Sequence, residues 1–150
     1  MRENMGLYRG KRTIDGVWIK GQLLFVEGKP TIYDQTDTDS SAVWECGEAH
    51  LWGCYEVDPE TVGLCSGVPD KKGVKIYEGD VIRVDEDVKK TFPQVEDGPA
   101  RFSRGGFYVG SCGNILCSFD VIADYEGKMR GEIIGTIYDI PEQLGVNGHA

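Results

Sequence analysis

Twenty-one glycines punctuate this 150-residue chain, and most stand between short runs rich in Val, Ile, Tyr and Phe. Glycine enters left-handed backbone conformations that side chains forbid, so such interruptions read as turns. The apolar runs between them are too short for long helices and have strand composition. About eight to ten short strands are expected, the spacing of small barrels and sandwiches.

Several turns are legible one by one. Asp15-Gly16 between "RTI" and "VWIK" reads as a two-residue hairpin turn. Glu27-Gly28-Lys29-Pro30 separates "QLLFV" from "TIYD", completing an antiparallel meander. Asp58-Pro59 has the form of an N-cap followed by proline at the first helical position, with Gly63 ending the turn. Turns are also expected at Pro69-Asp70, Lys72-Gly73, Gly105-Gly106 and Cys112-Gly113-Asn114. Residues 34–57 open as a polar loop and continue as either a strand pair or one helical turn. Residues 85–101 are polar with two prolines and read as an exposed loop open to partner contacts. "NILCSFDVIADYEG" reads as strand, and "GEIIGTIYDIPEQLG" as a last strand stopped by Pro141.

The stretch most like a motif is "KKGVKIYEGDVIRVDED", residues 72–88. Lys75-Ile76-Tyr77 and the alternating Val81-Ile82-Arg83-Val84-Asp85 are strands, with Glu78-Gly79-Asp80 as the corner between them. Two carboxylates doing acid–base chemistry need a third group or a raised pKa, and the sequence supplies neither. The reading is architecture, with Gly79 at positive φ and Asp80 bonding nearby backbone N–H groups.

Three blocks, "YRGKRTIDGVWIKGQLL", "VDPETVGLCSGVPDKKGVKIYEGDVIRV" and "EIIGTIYDIPEQL", carry a resemblance to the YopX family of phage and prophage proteins. At Cys65-Ser66-Gly67-Val68 the chain departs from the family's tendency to an aromatic residue or Thr before the glycine. Residues 34–56 and 85–101 lie outside the blocks. The resemblance implies an all-β fold with few short helical turns. It implies an N-terminal antiparallel meander subdomain (1–56), a C-terminal SH3-like barrel subdomain (57–145) and a tail (146–150). It also implies a phage or prophage origin, and it brings no catalytic residues to carry over.

Composition narrows the function. The apolar share of 40% and charged share of 27% are those of a globular chain. A net charge of −9 opposes a phosphate-binding surface, despite the basic cluster Arg2, Arg9, Lys11 and Arg12. No apolar run reaches the ~20 residues of a membrane span, and "MRENMGLYRGKR" has no signal-peptide core. A cytoplasmic location without membrane contact is expected, inside a bacterium carrying the phage. Five cysteines, an odd number, fit reduced thiols acting as small apolar fillers.

Cys46, His50 and Cys54 are the nearest approach to a metal site, since spacings of four would share one face of a helix or strand. A fourth ligand, Cys65 or Cys112, would have to come from the fold. His50 as base for a cysteine nucleophile lacks a nucleophile-elbow sequence, and "SRGGFYVG" is a turn without the phosphate-loop Lys-Ser/Thr. Trp18 on its strand reads as core; Trp44 and Trp52, with the tyrosines, are candidates for an interaction surface. The leading expectation is a non-enzymatic accessory scaffold without cofactor, binding itself as a homo-oligomer or another phage or host protein. The alternatives are a nucleic-acid-binding small barrel, not favoured by the charge, and a zinc-stabilised regulator.

Overall fold

The computed structural model describes residues 7–34, 42–45, 48–51, 53–110 and 115–139, with 42–45 and 48–51 described by their backbone. The chain divides into two units, 1–64 and 65–150.

The first unit contains β1 (Leu7–Lys11), β2 (Trp18–Val26), β3 (Lys29–Tyr33), β4 (Ala42–Glu45), β5 (Glu48–Leu51) and β6 (Cys54–Glu56). It also holds the first two residues of β7 (Gly63–Pro69). β6, β3, β2 and β1 lie side by side, all antiparallel, and Gly63 and Leu64 pair with Arg9 and Tyr8. The expected meander is present. Its β2–β3 turn is Glu27-Gly28, both at positive φ (53° and 81°), the backbone that suits the right-handed twist of a hairpin. Alternation places Ile19, Ile32 and Val57 on one face as the core, with Tyr8, Leu23 and Tyr55 packed against them.

The first hairpin departs from the two-residue turn expected at Asp15-Gly16. Arg12 N–H bonds the Val17 carbonyl, so four residues, 13–16, form the loop. Thr13 N–H is drawn to the Glu56 carbonyl, and the Asp15 carboxylate accepts from Val17 N–H at 3.0 Å. Those bonds fix a wider loop and leave Ile14 78% exposed.

The unit boundary falls after the expected 56/57 division because 57–62 is bound to β1. Asp58 N–H donates to Lys11 O, and Lys11 N–H to Thr61 Oγ1. The 3-10 turn Pro59–Thr61 has the cap read from sequence, with Asp58 Oδ1 accepting from Glu60 N–H at 3.0 Å.

The second unit begins with Cys65 in β7 and continues through β8 (Lys75–Tyr77), β9 (Asp80–Val84) and α1 (Glu86–Thr91). β10 (Gly98–Ser103), β11 (Gly106–Val109), a 3-10 turn at Ile115–Cys117, α2 (Phe119–Ile122) and β12 (Gly131–Thr136) follow. The sheet order β11-β10-β9-β12 is antiparallel throughout, with a bulge in β12 between Ile133 and Gly135. Its core includes Ile76, Ile82, Val84, Val109, Ile122 and Met129, all essentially buried. The all-β class is confirmed; the SH3-like barrel stays an expectation of the resemblance.

Two stretches of this unit differ from the sequence reading. Residues 85–101 are not an exposed loop. They hold α1 and the start of β10, and Val88 and Val95 are 1% exposed, with Phe92 packed beside them. Only Val88 belongs to α1; Phe92 caps its end and Val95 follows in the turn after Pro93, so the buried side chains come from helix, cap and turn together. The "NILCSFDVIADYEG" segment, read as strand, makes two short helical turns where described. Arg130 secures the second, its guanidinium donating to the Ile122 and Val121 carbonyls at 2.7 and 3.1 Å.

One buried carboxylate organises the 70–74 turn. Asp70, 2% exposed, accepts from Lys72 and Val74 N–H through Oδ1, each at 2.9 Å, and from Ile133 N–H of β12 through Oδ2 at 3.1 Å. Replacing it with Ala orphans three donors, and a buried unmet donor costs about 1–3 kcal/mol. Urea denaturation of Asp70→Ala should show a loss of about 2–4 kcal/mol, with Asp70→Asn losing less because one acceptor oxygen survives. A loss within about 0.5 kcal/mol, the scale of a surface change, would contradict this role.

Candidate functional site

The Glu78-Gly79-Asp80 corner is structural in every described contact. Asp80 is buried and its Oδ2 accepts from Tyr77 N–H at 2.8 Å. Gly79 donates to Ala100 O and accepts from Ile137 N–H, joining the corner to β10 and to the end of β12. Its φ of +95° requires glycine, and a Cβ there would lie 2.9 Å from the Tyr138 ring.

Of the metal candidates, Cys46 lies outside the described residues, and His50 is placed by its backbone opposite Val43 in the β4–β5 hairpin. Cys54 is in β6, opposite Tyr33. His50 and Cys54 therefore sit on different strands, β5 and β6. Cys54 is a half-buried free thiol, and burial raises its pKa, so it is less ionised than an open cysteine. Cys65 and Cys117 are buried fillers, as expected. Trp44 is placed by backbone opposite Ala49, and Trp52 lies outside the described residues.

Trp18 is not in the core. Ile19 turns inward, so Trp18 faces the other way and lies under two cations, with the Arg9 guanidinium 4.5 Å and the Lys11 ammonium 5.4 Å from the ring centre. Arg12 stacks 4.3 Å over Tyr55 and pairs with Asp15 at 3.0 Å. Of the basic cluster, Arg9, Lys11 and Arg12 are engaged with rings and a carboxylate, and Arg2 lies outside the described residues.

The cavity that matters lies in the second unit, a cleft of about 320 Å³ between β7, β11 and α2. Phe107 and Phe119 form an aromatic wall, their ring centres 5.5 Å apart and tilted by 40°, and Phe102 packs edge-on to Phe107 at 5.1 Å. Val68 and Val121 add apolar surface, and Ile115, 70% exposed, stands at the rim. The polar groups differ in state. Ser66 Oγ is satisfied locally, accepting from Val68 N–H and donating to Val68 O. Ser118 is 9% exposed, yet its hydroxyl is buried without a hydrogen-bond partner. It precedes α2 in the N-cap position but does not cap it, since Val121 and Ile122 N–H bond its carbonyl instead. Asp120 lines the cleft as an exposed carboxylate. None of these residues was singled out from sequence; Ser118 before Phe-Asp-Val-Ile carried an N-cap signal that would have marked α2.

Elsewhere in this unit several surface charges are paired. Lys72 reaches Glu132 at 2.9 Å, and its hydrogen bond and charge hold the Glu132 carboxyl below the usual glutamate range. Lys71 is raised by its hydrogen bond to Asp85, and Lys89 by hydrogen bonds to Asp97 and then Glu86.

A small, mostly antiparallel β protein with an aromatic cleft and no catalytic constellation among its described residues is the class that these features define. The family model described as YopX protein matches residues 7–145, and the chain belongs to that family. A crystal structure of protein EF1440 from Enterococcus faecalis is similar over 91% of this chain and 96% of its own, with a TM-score of 0.51 and 19% identity, a likeness of fold. No curated protein matches the chain.

The ion pairs set a pH dependence. Glu132 has a folded pKa below its unfolded one, so its contribution is present above the unfolded value and is lost as pH falls through the folded value. Lys71 and Lys89 are raised, so theirs is present below the ordinary lysine range and fades as pH rises through the folded values. NMR titration of the Glu132 carboxyl should give a midpoint below that of a free glutamate, and Lys72→Ala should move it back up. An unmoved midpoint would show that Lys72 is not the cause.

Proposed function

We propose that this protein is a non-enzymatic phage or prophage accessory scaffold that engages a protein partner through the cleft between β11 and α2. The observation that carries the reading is the aromatic wall of Phe107 and Phe119 in a cleft with the exposed Ile115 at its rim, an apolar surface of the kind that protein partners cover. The carboxylates most deeply buried, Asp70 and Asp80, accept from backbone N–H groups and have an architectural role, which supports a binding function over acid–base chemistry.

Gly106 allows a direct test. It lines the cleft, and a Cβ there would meet only Tyr108 Cε1, at an ordinary 3.9 Å, so the backbone accepts a side chain at this position and Gly106→Trp is the variant chosen to plug the cleft. A photo-crosslinking benzoylphenylalanine replacing Ile115 reports what sits at the rim. Irradiation in a bacterial lysate containing the phage should give a discrete protein adduct, identified by mass spectrometry and lost in Gly106→Trp. An adduct with a second copy of this chain would make the partner the protein itself. Adducts only with nucleic acid, or adducts insensitive to the plug, would overturn the reading.

A further inference from the structure

We draw no further inference here: the strongest candidate, the apolar cleft between β7, β11 and α2 with Phe107 and Phe119 as its wall, belongs to the site already described, and nothing in the structure shows what covers it.

Discussion

The bond set of Asp70 is the constraint on which the second unit depends. β8 is three residues long and pairs with β7 at only two registers, Cys65 with Tyr77 and Pro69 with Lys75. So short a ladder cannot define the path of the intervening turn. The Asp70 carboxylate supplies what the ladder lacks, bonding the turn at Lys72 and Val74 and the neighbouring β12 at Ile133. Lys71 N–H to Gly131 O and Met129 N–H to Pro69 O extend the same seam. β7 is thereby fixed at its far end, and β7 contributes Ser66 and Val68 to the cleft.

Other aspartates repeat this device. Asp80 holds the corner at Tyr77, Asp97 accepts from Val84 N–H and Lys89 Nζ, and Asp124 accepts from Glu126 and Lys128 N–H. Part of the acidity of the chain is thus architectural. A carboxylate offers several lone pairs in a small volume, which suits turns whose N–H groups have no strand partner. The charge of −9 is therefore weaker evidence about partners than its size suggests, and only the exposed acids, Asp120 among them, describe what the surface attracts.

What could be read from sequence follows from range. Turns are local, so Asp58-Pro59, Glu27-Gly28 and Glu78-Gly79-Asp80 were legible from neighbouring residues alone, as was the all-β class. Faces were less so. Trp18 was read as core because tryptophan is large and apolar, but register fixes Ile19 inward, and the ring instead packs against two cations of β1. α1 was hidden by composition: its charged residues look solvated, and of its six residues only Val88 is buried. The cleft could not be read at all, since Ser66, Phe107 and Ser118 meet only when three separate elements have packed.

Asp70 and Ser118 differ in what the fold asks of a buried polar side chain. Both side chains are at least nine-tenths buried. Asp70 has three donors within 3.1 Å, and the turn forms because of it. Ser118 has none for its hydroxyl, and α2 forms without it, since the carbonyl of Ser118 closes the turn. Removing the hydroxyl would cost the isolated fold nothing in hydrogen bonds and would relieve a buried unmet group. Burial alone therefore does not mark a side chain as a building element: Asp70 is one through its bonds, and the Ser118 hydroxyl is not.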